Sequence, residues 1–157
     1  MSPIAQAAQI REATAADAEA IARLHAESWQ SAYRGILSDD YLENHALRER
    51  MAAWRECFSK NCERPKFVLI AELDDEMVGF VCVLTEEDPV YGSLLDNLHV
   101  APRLTGQGIG KKLLSAAAKR APHHEADALC LARCGRADFH HPPLGRRNVL
   151  GITIDEE

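Results

Sequence analysis

The stretch LHVAPRLTGQGIGKKLL, residues 98–114, decides the fold. It begins at the end of an apolar strand, turns at Pro102, and passes through glycines at 106, 108 and 110. Ile109, Leu113, Leu114, Ala117 and Ala118 then recur at helical spacing to about Arg120. The first N–H groups of a helix have no intrahelical partner, and the helix dipole favours an anion beside them. A phosphate loop needs G-x-x-x-x-G-K-[ST]. Gly106 to Gly110 is one residue too short for it, and Lys112 stands where the hydroxyl belongs. A dinucleotide turn needs G-x-G-x-x-G, whereas this is G-x-G-x-G with no βαβ unit opening the chain. Both spacings fail. An anion cradle and a plain tight turn between strand and helix remain as readings.

Upstream, Leu94 to Val100 reads as a strand after a turn at Tyr91-Gly92. KFVLIAEL (residues 66–73) and MVGFVCVLTEE (residues 77–87) flank a short acidic turn, which predicts an antiparallel hairpin. Ile10 to Ala13 is a candidate first strand. Thr14 and Asp17 approximate a capping box for a helix carrying Ile21, Leu24, His25, Trp29 and Tyr33 and ending near Gly35. A second helical region runs from about Ser38–Asp40 to Phe58. Ala128 to Leu131 allows a short strand. The order is that of a mixed α/β chain without internal repeats.

The chain has 157 residues, 46% hydrophobic and 27% charged, with net charge -6. That suits one ordinary domain over residues 1–157, atypical from about residue 121. An acidic chain without a Lys/Arg block argues against nucleic acid as partner. No apolar run reaches membrane-span length and the first residues do not resemble a signal peptide, so the expected compartment is the cytoplasm. Five cysteines without framework spacing read as reduced thiols, mostly core filler.

NLHVAPRLTGQGIGKKLL (residues 97–114) resembles the coenzyme A loop of the GNAT family of N-acetyltransferases, whose motif is [Q/R]-x-x-G-x-[G/A] after a strand ending in Val-x-Pro. Val100, Pro102, Gly108 and Gly110 match, whereas Thr105 stands where Gln or Arg is expected. The opening from Ile10 to Leu42 is also similar, so the resemblance covers about Ile10 to Arg120. It implies a twisted, mostly antiparallel sheet with helices on both faces, and acetyl-CoA as co-substrate. Backbone groups of Leu98, His99 and Val100 would line pantetheine. Thr105, Gly106, Gln107, Gly108, Ile109, Gly110 and Lys111 would cradle the pyrophosphate. A peptide or small-molecule amine would be the acceptor, by direct transfer, with a homodimer as the common assembly. Trp29 and Tyr33 would line the acceptor pocket; core packing is the plainer reading of both.

Acetyl transfer to an amine needs a base. Asp96 is the first candidate. Strict alternation puts Leu94, Asp96, Leu98 and Val100 on one face and His99 on the other, and an acid on an apolar face has a raised pKa if it is buried. A structural carboxylate is the competing reading. After Arg120 the family pattern breaks. No tyrosine follows Tyr91, so the usual acid for the leaving thiolate is absent and His140 is the substitute. A frame-shifted end and real divergence both account for this tail, and coding DNA separates them. Two other functions stay open: a coenzyme A-binding module with impaired turnover, and a zinc-stabilised domain using His123, His124, Cys130, Cys134, His140 and His141. The latter spacing matches no standard zinc site, so no metal is expected.

Overall fold

The computed structural model describes residues 2–63, 65–88, 92–121 and 130–131. A short helix α1 (Pro3–Ala7) leads into β1 (Gln9–Glu12), then a 3-10 turn and α2 (Ala18–Ala32). A π-helical turn at Tyr41–His45 opens α3 (Ala46–Cys57). β2 (Lys66–Leu73), β3 (Glu76–Asp88) and β4 (Gly92–Val100) follow, then α4 (Ile109–Arg120) and β5 (Cys130–Leu131). The strands lie in chain order in one sheet. β1 to β4 are antiparallel, and β5 pairs parallel to β4 at Leu94 and Leu95.

β2 is apolar on both faces, and that dictates the layers. Phe67, Leu69 and Ala71 pack with Val81, Val83, Leu95 and the α4 residues Ile109, Leu113 and Ala117. Val68 and Ile70 face the opposite way, with Phe80, Cys82, Ile21, Leu24 and Trp54 of the α2–α3 layer. A strand buried on both sides needs helices on both sides, the arrangement that the family resemblance implies. The hairpin between β2 and β3 turns on Asp74 and Asp75, between the paired Leu73 and Glu76. Both aspartates have positive φ, as a type I′ turn demands. At the start of the α2 segment, Asp17 accepts from the Thr14 N–H at 2.7 Å and from both Arg11 terminal nitrogens at 2.9 Å.

Two features depart from the sequence reading. The first helix, α1, was not anticipated. Its residue Ile4 and the following Ala8 pack on the α4 layer. The second is a β-bulge in β4. Cys82 faces Asn97 and Val83 faces Leu95, so Asp96 is the extra residue. Strict alternation along β4 therefore fails. Leu94 packs with the α2–α3 layer, while Leu98 and Val100 pack with the α4 layer.

Helix α4 lies close on β3 at Gly79. A Cβ there would meet Leu113 Cδ1 at 3.0 Å and the His99 carbonyl oxygen at 3.1 Å. The backbone oxygen cannot yield as a side chain would. Gly79→Ala is expected to cost about 1–3 kcal/mol by overpacking, read as a lower urea midpoint at unchanged slope. An unchanged midpoint would refute the close approach.

Candidate functional site

Val100 leads through Ala101 and a 3-10 turn (Pro102–Leu104) to the glycine loop. Gly106 has φ +81° and Gly108 φ +85°. A Cβ on Gly106 would meet nothing within 4 Å, so glycine is required there for backbone conformation rather than for room. Gly110 lies inside α4 with ordinary φ. The Lys112 N–H bonds to the Gly108 carbonyl at 3.1 Å. The N–H groups of Ile109, Gly110 and Lys111 precede that bond and are the helix's unpaired N-terminal donors. Thr105, Gly106 and Lys111 are exposed; Gln107 and Gly108 are half-buried.

The N-terminal segment holds this loop from behind. Ser2 Oγ donates to the Gln107 carbonyl, and Ala5 Cβ lies where a Cβ on Gly108 would meet it at 3.4 Å. Lys112 Nζ donates to the carbonyls of Ala5 at 3.0 Å, Gln6 at 3.3 Å and Ala8. The two lysines thus divide. Lys112 caps the end of α1, and Lys111 faces solvent beside the loop. Nothing in the sequence pattern pairs Lys112 with residues more than a hundred positions away.

The backbone of β4 has direction as well as position. The Ala101 N–H bonds to the Val78 carbonyl at 2.8 Å, and the His99 carbonyl lies against Gly79, so both point toward β3. By alternation, the backbone groups of Leu98 and Val100 point to the opposite edge. Among the described residues, β5 pairs with β4 only at Leu94 and Leu95. The His99 backbone therefore departs from the expectation that it joins Leu98 and Val100 on that edge.

Asp96 sits exposed in the bulge, and Asn97 Nδ2 donates to its Oδ2 at 2.6 Å. The structure leaves it at the surface rather than on a buried apolar face. The His99 side chain is 8% exposed and points into the α2–α3 layer. Its Nδ1 and Ser28 Oγ are 2.8 Å apart, and its ring lies 4.5 Å from that of His25. Trp54 Nε1 donates to His25 Nδ1 at 3.1 Å. His25 therefore carries its proton on Nε2, which has no partner among the described residues. Burial, then His99 and Arg50, lower the His25 pKa to about 2. Burial, then Arg50, lower that of His99 to about 4. Both imidazoles are neutral at pH 7.

Trp29 and Tyr33 are half-buried on and just after α2. Trp29 meets His25 edge-on at 5.3 Å and Tyr33 at 5.6 Å, and the Arg50 guanidinium lies 4.6 Å over its ring. Ser28 and His99 tie this aromatic row to β4. Ser28, Arg50 and the bulge escaped the sequence reading. The bulge left a trace, since the α4-facing residues Leu95, Leu98 and Val100 are spaced three and then two apart. His140 and the histidines of the proposed zinc cluster lie outside the described residues, as does Cys134.

The sequence model of the acetyltransferase (GNAT) family matches residues 19–140. An aminoglycoside N(6')-acetyltransferase type 1 of Stenotrophomonas maltophilia is 35% identical over 119 residues, covering 72% of this chain and 67% of that protein. The PaiA N-acetyltransferase of Thermoplasma acidophilum, solved with coenzyme A, superposes with a TM-score of 0.58 at 28% identity, over 71% of this chain and 70% of that one. An aminoglycoside acetyltransferase from an uncultured soil metagenomic sample, solved with sisomicin, shares the fold: TM-score 0.51, 18% identity, 74% and 70% coverage.

The two buried imidazoles make stability pH-dependent. Unfolded, each takes a proton near its ordinary value of 6.5; folded, His99 refuses it until about 4 and His25 until about 2. Their contribution is whole above pH 6.5 and is lost as pH falls toward 4, with a slope approaching about 2.7 kcal/mol per pH unit for the pair. Urea melts between pH 7 and 4 should show it, and His99→Phe should remove about half of that slope. Identical slopes in both proteins would refute it.

Proposed function

The chain belongs to the acetyltransferase (GNAT) family, a class of enzymes that use acetyl-CoA, and we propose that it moves an acetyl group from acetyl-CoA directly to a small cationic amine. The observation that carries this reading is the glycine turn set at the end of a strand whose outer edge offers the Leu98 and Val100 backbone groups. These residues fit the donor. The N–H groups around Gly108 and the start of α4 suit a pyrophosphate, with Lys111 as exposed counter-charge. Amide groups of Leu98 and Val100 suit the pantetheine amides. Bound there, acetyl-CoA supplies an acyl carbon activated as a thioester.

The remaining work falls to side chains. An ammonium must shed a proton before its nitrogen attacks, and Asp96 is the proposed acceptor. The hydrogen bond from Asn97 orients its Oδ2. Trp29 and Tyr33 provide the aromatic wall on the acceptor side, held by His25 and Arg50. The cationic class rests on the name of the curated relative and on the chain's net charge of -6, which favours approach of cations.

Calorimetric titration of acetyl-CoA tests the loop. Gly108→Glu should abolish binding and the exposed Lys111→Glu should weaken it, with melting curves as the folding control. No binding to the folded unaltered chain would sink the reading. Asp96→Asn should leave acetyl-CoA affinity unchanged and lower turnover about 10²-fold or more on an amine panel spanning aminoglycosides, diamines and peptides. Unchanged turnover would remove Asp96 as base. Binding without acetylation of any amine would mark a coenzyme A-binding module instead.

A further inference from the structure

Arg50 is a half-buried cation within α3. Five other arginines have carboxylate partners: Arg11, Arg23, Arg34, Arg103 and Arg120 each form an ion pair at 3.3 Å or less. Arg50 forms none among the described residues. Glu49, its neighbour in the chain, accepts from the Tyr41 hydroxyl at 2.6 Å instead. The Arg50 guanidinium lies 4.6 Å over the Trp29 ring. Its Nε is closed off from solvent and has no acceptor among the described residues.

The surroundings supply no negative charge. The field of Arg50 reaches His25 and His99, which burial keeps neutral. His25 Nδ1 already accepts from Trp54 Nε1, and His99 Nδ1 lies 2.8 Å from Ser28 Oγ. His25 Nε2 is a second buried donor without an acceptor, on the ring that meets Trp29 edge-on at 5.3 Å. Two orphaned donors therefore belong to side chains that touch one indole. The attraction of an aromatic face for a half-buried cation does not offset a buried donor left unpaired. What this corner lacks is an acceptor oxygen, and the unpaired charge calls for an anionic one.

We propose that Arg50 is the anion-binding residue of the acceptor site, and that the acceptor is a small amine that also bears a carboxylate. This rests on the reading of the chain as an amine acetyltransferase with Trp29 on the acceptor side. It narrows the acceptor from cationic amines at large to those with a second, anionic group. A guanidinium presents its N–H donors in a planar fork that matches a carboxylate, and contact with an aromatic face holds it without consuming those donors. With the carboxylate held at α3, the ammonium is the end left free to meet the proposed base.

The test is calorimetric and does not depend on turnover. Aminocarboxylic acids and short peptides, each matched with its carboxamide, are titrated into the full chain with and without saturating coenzyme A. At least one acid should bind roughly 10- to 100-fold tighter than its carboxamide, the range for a hydrogen bond to a charged group. Arg50→Met, checked by melting curves, should bring that ratio close to one. Arg50→Lys keeps the charge but loses the fork, so its ratio should fall between the two, and it serves as the test if Arg50→Met does not fold. Equal affinity for every acid and its carboxamide would overturn the proposal, as would no binding of either. A ratio that survives in Arg50→Met would overturn it too, because another group would then read the carboxylate. Acid binding that depends on Arg50, without acetylation, would sink the transfer reading and leave the anion site standing.

Discussion

Asp96 is the extra residue of the β4 bulge. Cys82 stands opposite Asn97 and Val83 opposite Leu95, so β4 must swell between them to keep its hydrogen bonds on either side. That swelling exchanges the faces of the strand. Before it, Leu94 serves the α2–α3 layer; after it, Leu98 and Val100 serve the α4 layer and His99 turns inward to Ser28 and His25. Without the extra residue, the side chains beyond the bulge would lie on the wrong faces, because a shift of one position turns every side chain over. The glycine turn, the outer backbone edge and the exposed carboxylate are consistent only with the bulge in place.

The other side of the sheet pays for this in buried polarity. His25, His99, Trp54 and Phe80 form one contiguous group of rings, with centroids 4.5 to 6.0 Å from His25 to each of the other three. Each imidazole has one nitrogen in a short contact, to Trp54 Nε1 or to Ser28 Oγ. Such a group joins α2, α3, β3 and β4 more specifically than aliphatic packing would, since ring nitrogens accept only from a narrow range of directions. It also fixes Trp29, which touches His25 and lies under Arg50. Trp29, which we propose as part of the acceptor wall, is thus positioned by the same core that braces the strand.

The elements were legible because they follow from composition along short segments, and the layer plan came from the family resemblance. KFVLIAEL is apolar at successive positions, and such a strand needs cover on both faces. The helix after the glycines, expected from near Ile109 to about Arg120, was legible because its apolar members keep one period. Three things were not. The bulge interrupts the period of two with a step of three, which strict alternation reads past. The neutral, buried state of His99 depends on partners from α2. The role of Lys112 depends on α1, a five-residue helix with no amphipathic period to announce it.

That small helix bears on the energetics of the loop. Glycines at positive φ allow the turn but leave the unfolded chain with more freedom to lose, so they weaken the very segment they make possible. A floppy anion cradle would spend binding energy on ordering itself. Here the ordering is done beforehand. Ser2 holds the Gln107 carbonyl, Ala5 rests against Gly108, and the Lys112 ammonium is held by the carbonyls at the end of α1. Using Lys112 in this way leaves Lys111 as the exposed lysine beside the turn, where we propose that it faces the pyrophosphate. The chain thereby spends a cation on rigidity at a loop where more positive charge would bind an anion directly. If the loop holds the proposed pyrophosphate, that exchange favours an extended ligand matching a fixed turn over indiscriminate capture of phosphates.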